Sequence, residues 1–555
     1  MFVGLTRGYK SNAATLDTYA YHADLKSSSY WTGGQAKERS LKQTWMYDSW
    51  RAKKERMAMS EERVPTGITG LDERINGGLP KGSLTVVGGE PGSGKTTLCA
   101  QFLHYGATEH EPSVYVSFGE NHKVFYSNMR LFGLDFEKCD QSFKYLDFMR
   151  MKSGSESVLA ILLQELEQFK TRRLAIDSFT ALSQTIRDVP EQLVVMDTIL
   201  SKILRGMGCT TIVTVEKRVG QPLLGSGFEE FVADGILMLE RDTKSGIRQV
   251  RIPKMRSTAL PQDRFPYTLY HGFHLIPPLS RSRRVVSLLV SDPKIADKPG
   301  HIEKKSSLKK QWTPIQDTST RFSTGNKSLD EIIGGGFERG SYAVLEVGRN
   351  VPPRGVKLFT YPLTWNFMSQ GRGVVFYLGP SSSSEEIREI AGSYINLRTF
   401  DRLGRVLEEK PSGRRLPKRP FTVMLKEGNA DLDDDAQVFS SVTRALMKQT
   451  GKNVLSIINL AELENKYAGN LDKLFTHIGR WIGENMNLGN VTLAVAKPGL
   501  GITSKLLNIT RWHLRLIERD GSTFLYSIMP RRVTPHAMDI DESQEQLSMQ
   551  LTPML

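Results

Sequence analysis

The chain has 555 residues, too many for one ordinary hydrophobic core and enough for two domains with tails. Hydrophobic residues make up 39% and charged residues 24%, the balance of a globular protein rather than a disordered or fibrous one. The net charge of +14 favours an acidic partner such as nucleic acid, because nucleotide phosphates need only a few local cations.

Three cysteines, Cys99, Cys139 and Cys209, stand far apart without CxxC spacing, which argues against a zinc site or a disulfide framework. No apolar run reaches the length of a membrane span, and MFVGLTRGYKSNAATLDTYAYH lacks a signal-peptide core. The expectation is a cytoplasmic protein with no membrane partner.

Residues 1–62 read as a basic, flexible extension rich in Tyr and Trp. From residue 63 to 280 short apolar runs alternate with amphipathic ones. Strands are expected over Ser83–Gly88, Ser113–Phe118, Arg173–Ile176, Thr210–Val215 and Gly235–Leu239. Helices are expected over Thr96–Tyr105, Ser157–Phe169 and Glu191–Arg205. Such alternation implies an α/β fold with a mostly parallel sheet covered by helices on both faces.

Within this region, Gly89-Glu90-Pro91-Gly92-Ser93-Gly94-Lys95-Thr96 fits the P-loop pattern, preceded by a β-run and followed by a helix that begins with Thr96 and Thr97. The glycines let successive N–H groups face a phosphate, Lys95 reaches the β- and γ-phosphates, and the Thr96 hydroxyl suits Mg²⁺. Asp177 ends the apolar strand of RLAIDSFTAL, where a carboxylate holds Mg²⁺ through water; capping the next helix is the plainer role. Glu120 follows the strand of VYVSFGE, placed to orient an attacking water, against an ordinary surface position. Lys254 and Arg256 alternate on one face of IPKMRST, suited to a neighbouring subunit's γ-phosphate or else to an exposed basic strand. Lys217–Phe228 holds one aromatic residue, which does not make a stacking platform for single-stranded DNA.

Residues 281–318 read as a basic linker. After it the start of the first domain recurs: TGITGLDERINGGLPKGS over Thr66–Ser83 matches TGNKSLDEIIGGGFERGS over Thr324–Ser341 without a gap. The second copy, 319–535, repeats the element order with strands Gly373–Leu378, Asn453–Leu460 and Val491–Val495 and helix Asp435–Gln449. Its loop, from Gly348 to Lys357, carries two prolines and no GK[ST], and Asn459 stands where Asp177 stands in the first copy. No hydrolysis is expected there. The Arg- and Lys-dense segment Arg402–Arg419 reads as a solvated loop or an acidic-partner contact, and 536–555 as a tail.

The motifs TGITGLDERINGGLPKGSLTVVGGEPGSGKTT, VYVSFGE, LAIDSFTAL, FEEFVADGILMLERD and PKMRST together resemble the KaiC branch of the RecA-like ATPases, as a tandem pair. The resemblance implies two RecA-type cores, ATP with Mg²⁺, assembly into homo-oligomeric rings such as hexamers, and a trans-acting role for Lys254 and Arg256. Where the family carries two adjacent glutamates, this chain has Gly119 and Glu120, which implies slow or lost hydrolysis. Self-phosphorylation in the second copy, known in clock members, is not expected. The leading expectation is an ATP-binding regulatory switch acting on a protein partner. The alternatives are a DNA-associated ATPase, a nucleotide sensor without turnover, and a regulator similar to those of archaeal gas-vesicle formation, whose Arg-rich style Arg402–Arg419 shares.

Overall fold

The computed structural model describes residues 62–279 and 311–555, apart from 140, 149–154, 185, 187, 218–226, 244, 378–382, 410–418, 426–431, 531–532 and 542–545. The N-terminal extension, most of the linker, the core of the Arg402–Arg419 segment and most of Lys217–Phe228 therefore lie outside the described residues.

Val64–Leu555 forms one compact unit. Its front part contains strands β1 (Leu84–Gly89), β2 (Ser113–Ser117), β3 (Phe143–Asp147), β4 (Arg173–Asp177) and β5 (Thr210–Glu216). These are followed by β6 (Gly235–Arg241), β7 (Arg248–Met255), β8 (Arg264–Thr268) and β9 (His274–Leu275). Among the described residues the sheet order is β9-β8-β7-β6-β1-β5-β4-β2-β3. Pairing is parallel from β6 to β3 and antiparallel from β6 to β9. The continuous apolar run of β1 is fully buried because a parallel sheet is covered on both faces. Accordingly two hydrophobic cores form, one on each side.

The rear part repeats this threading. It contains β10 (Tyr342–Val347), β11 (Val374–Tyr377), β12 (Gly404–Glu409), β13 (Thr422–Leu425), β14 (Leu455–Asn459) and β15 (Val491–Ala496). Four longer or later strands follow: β16 (Trp512–Arg519), β17 (Ser522–Met529), β18 (Val533–Ile540) and β19 (Met549–Pro553). Their order is β13-β12-β11-β14-β15-β10-β16-β17-β18-β19, the front order with one extra edge strand, β13. The chain thus holds tandem RecA-like α/β domains.

The duplicated opening segment has a physical reason. The Thr66 hydroxyl donates to Asp72 at 2.7 Å, and the Thr324 hydroxyl donates to Asp330 at 2.7 Å, closing the same turn twice. Gly78 and Gly336 lie at φ 132° and 108°, and a Cβ there would come within 2.1 Å of the carbonyl oxygens of Val64 and Phe322. Only glycine fits either place.

Three expectations change. Residues 536–555 are no tail: β18 and β19 extend the rear sheet, and Ile247, Ile276, Phe524, Ala537 and Met554 form an apolar cluster joining front and rear. Polar residues alternating with apolar ones, as an edge strand requires, disguised this stretch. The end of the proposed linker is docked too, with Trp312 buried in the rear core and Asp317 paired to Arg372 at 2.5 Å. Arg402–Glu409 ends a helix over Leu397–Leu403 and forms β12, and Arg405 donates to the carbonyls of Asp401, Arg402 and Gly404. That cation thus caps a helix end.

Candidate functional site

Ligands of open parallel sheets sit beyond the carboxyl ends of the strands. At that edge β1 runs into Gly89, the loop turns through Gly92 (φ 74°) and Gly94 (φ 90°), and α1 (Lys95–Thr108) begins. A Cβ on Gly94 would press on a Leu269 methyl at 2.7 Å, a side-chain end that can shift, so it is the left-handed conformation that calls for glycine. The loop is braced from behind: Tyr267 donates to the Ser93 carbonyl at 2.7 Å and Arg248 to the Gly92 carbonyl at 2.9 Å. Burial pushes the Tyr267 phenol up to about 12, so it remains a donor. Arg248 also donates to the Leu555 carbonyl at 2.9 Å, which ties the rear domain's last residues to the loop.

Lys95 is buried. Its ammonium donates to the carbonyls of Gly89 (2.9 Å) and Glu90 (3.1 Å) and lies 3.2 Å from the Glu216 carboxylate. Ser93 and Thr97 are buried, whereas Glu90 and Pro91 are exposed at the loop tip. The Ser93 hydroxyl has no partner among the described residues, which suits a loop built to receive acceptors.

Asp177 ends β4 beside the loop. It accepts from Thr96 at 2.6 Å, from Thr214 at 2.6 Å and from Tyr115 at 2.7 Å. Burial first, and then the Asp177 charge, hold the Tyr115 phenol well above its usual value, so it stays a donor. Three hydroxyls therefore aim one carboxylate at the start of α1. The helix-capping role belongs to the next residue instead: Ser178 accepts from the Ala181 N–H at 3.2 Å.

Glu120 lies in the same cleft as Thr96, Asp177 and Glu216. Its backbone is fixed by Ser117, which accepts from its N–H at 3.1 Å, and by Tyr145, which donates to its carbonyl at 2.8 Å. Burial and then the Asp177 charge raise its carboxyl, against a lowering hydrogen bond from Asn128. Gly119 is exposed, and a Cβ there would meet nothing within 4 Å. The missing second glutamate is thus not forced by space.

Lys254 and Arg256 are not brought to this cleft. Lys254 lies opposite Ile236, while the loop leaves the sheet at Gly89, opposite Leu239, about 10 Å further along. Lys254 donates to the carbonyls of Glu230 (3.1 Å) and Phe231 (3.3 Å), and Arg256 pairs with Asp234 at 2.7 Å.

Strand register maps the rear site onto the front one. Glu346 occupies the place of Gly88, and it pairs with His513 and Arg515, each at 2.9 Å. Asn459 replaces Asp177 and accepts from the Ala461 N–H at 3.1 Å, so its carboxamide caps a helix. Phe376 lies opposite Ile457 as Tyr115 lies opposite Ala175. Val495 lies opposite Asn459, the place of Thr214, and Lys497 follows in the place of Glu216. The two strand hydroxyls that aim the carboxylate, those of Tyr115 and Thr214, are gone along with the carboxylate.

Sequence reasoning missed Glu216, Tyr115, Thr214, Tyr267 and Arg248. A signal existed for Glu216, a carboxylate ending an apolar strand as Asp177 does. Tyr115 and Thr214 read only as strand residues.

Residues 64–276 match the family model described as "ATPase: KaiC". The chain is 30% identical over 228 residues to UPF0273 protein MJ1359 of Methanocaldococcus jannaschii, covering 38% of this chain and 93% of that protein. It is 31% identical over 301 residues to the circadian clock oscillator protein KaiC of Prochlorococcus marinus, covering 51% of this chain and 54% of that protein. The chain thus spans about half the length of the clock relatives it matches. A solved structure, the KaiC-like protein PH0186 from Pyrococcus horikoshii, is 34% identical and covers 39% of this chain and 100% of its own, with a TM-score of 0.35.

Proposed function

The chain belongs to the KaiC-like ATPases, and from that premise we propose that its front domain binds ATP with Mg²⁺, hydrolyses it slowly, and so controls contacts with further copies of the chain and with a protein partner. The observation that carries this reading is the 2.6 Å contact between the Thr96 hydroxyl and Asp177 beside the glycine-turned loop. A hydroxyl and a carboxylate so placed are the donor set a P-loop offers to Mg²⁺. When bound, the metal neutralises charge developing on the phosphates.

The chain's own residues do the rest. Gly89–Gly94 present backbone N–H groups, with Glu90, Pro91 and Ser93 completing the turn, and the N-terminus of α1, including Thr97, adds its partial positive charge. Lys95 exchanges the carbonyls of Gly89 and Glu90 and the Glu216 carboxylate for phosphate oxygens. Glu120 accepts a hydrogen bond from the attacking water and orients it. With Gly119 in place of a second carboxylate, turnover is slow. Lys254 and Arg256, remote from their own loop, serve the γ-phosphate of an adjacent copy. The rear domain, without phosphate cradle or acidic strand end, presents a surface instead of a reaction.

The test is ATP binding and phosphate release by three proteins. Lys95→Ala weakens ATP binding by about 100-fold or more, because a buried charge-assisted contact is lost. Glu120→Gln keeps ATP binding and lowers phosphate release by about 100-fold. Unchanged turnover in the latter removes Glu120 from the mechanism. Mass measurement with and without ATP addresses the trans role, which a strict monomer in both states would end. The net charge of +14 supports a second reading, association with nucleic acid. Binding to duplex DNA that falls steeply with salt would favour it.

A further inference from the structure

The rear domain has lost its phosphate chemistry and kept a cavity. At the carboxyl ends of β10, β14 and β15, beside the helix α2 (Pro353–Ser369), lies a space of about 490 Å³. That is the size of a site for a small organic molecule. Its walls are apolar where the front cleft is polar: Trp365, Phe376, Ile457 and Val495 line it. Its rim carries Arg349 and Lys497, both exposed and neither paired with a carboxylate among the described residues. Lys357, by contrast, is 3.2 Å from Glu386. Trp365 is fully buried, and its indole N–H has no acceptor among the described residues.

These features point to one ligand chemistry. An apolar space of this size excludes a hydrated polyanion, and two prolines stand where a phosphate cradle needs N–H groups. Two unspent cations at the rim favour a single negative charge there. The Trp365 indole N–H has no surface open to the cavity, so the ring serves as apolar wall and the rim cations alone select the charged group. We propose that this cavity binds a small amphipathic anion: an aromatic or branched apolar body with one carboxylate-like group, and not a nucleotide.

The proposal does not rest on the front site, so the two are tested apart. The full chain carrying Lys95→Ala is titrated with 8-anilino-1-naphthalenesulfonate by fluorescence, and the dye is displaced with 1-naphthaleneacetate. We expect saturable binding at one site per chain, displaced by 1-naphthaleneacetate and not by ATP with Mg²⁺. Adding Lys497→Glu, which restores the charge sign of the front position, weakens binding at least about tenfold, the scale of a lost charged hydrogen bond. Arg349→Ala, also on the exposed rim, weakens it several-fold with an unchanged melting temperature. Binding untouched by both substitutions, displacement by ATP, or no saturable binding overturns the proposal.

Discussion

Front and rear sheets are threaded alike, yet the same stations at their strand ends carry opposite chemistry. Gly88, Tyr115, Asp177, Thr214 and Glu216 in front are answered behind by Glu346, Phe376, Asn459, Val495 and Lys497. The changes are linked by physics. A buried carboxylate needs donors to hold its charge, and hydroxyls need an acceptor. Once the carboxylate is gone, a buried Tyr or Thr hydroxyl is a cost, and Phe and Val fit better. Loss of the strand-end acid and loss of its strand hydroxyls therefore belong to one transformation, and single substitutions in front reproduce its steps.

The largest expected effect comes from Asp177→Asn, which installs the rear residue in front. Its amide nitrogen must face at least one hydroxyl that now donates to a carboxylate oxygen. We expect Mg²⁺ to support ATP binding only at about 10–100-fold higher concentration. Titrating Mg²⁺ at fixed ATP reads this directly, and an unchanged midpoint would detach Asp177 from the metal.

The same substitution has a smaller consequence at Glu120. Burial and the Asp177 charge raise the Glu120 carboxyl above its ordinary 4.5. A water-orienting carboxylate must be ionised, so phosphate release falls as pH drops through that raised value. The folded state also holds this proton more tightly than the unfolded chain. Stability from this group is therefore greatest at low pH and declines as pH rises from 4.5 through the folded value. Asp177→Asn removes one raising charge and leaves burial in place. The acid limb of the pH profile of residual phosphate release then moves to lower pH without returning to 4.5. A limb that stays put, or moves upward, contradicts the coupling.

What could be read in advance follows the same division. The parallel sheets, the loop at Gly89–Thr96 and the acid at Asp177 are written in contiguous runs, because a buried parallel strand is apolar throughout and a phosphate loop is local in the chain. The collar around Asp177 is not local: Thr96, Tyr115 and Thr214 come from three separate elements and meet only in the fold. Arg248 and Tyr267 escaped notice for the same reason, since they brace the loop across 156 and 174 residues of sequence. Residues 536–555 looked like a tail because β18 and β19 are partly exposed strands with mixed composition, and their pairing partners are long-range.

The smallest expected effects test the linkage itself. Tyr115→Phe copies Phe376 and deletes one hydroxyl from a ring that keeps its contacts with Phe125 and Tyr145, at 4.4 and 5.4 Å between centroids. Thr214→Val copies Val495 with almost no change of shape. Each removes one donor to Asp177, and each is expected to lower stability by about 1 kcal/mol in urea unfolding. Together they leave the carboxylate with Thr96 alone among these hydroxyls, so the double substitution is expected to cost about 0.5 kcal/mol or more beyond the sum. Adding Asp177→Asn to the pair should then recover part of the loss, because an amide tolerates an apolar wall better than a charge does. Strict additivity, with no recovery on adding Asn, would mean that the rear residues were replaced independently and that the hydroxyl collar does not hold the acid in place.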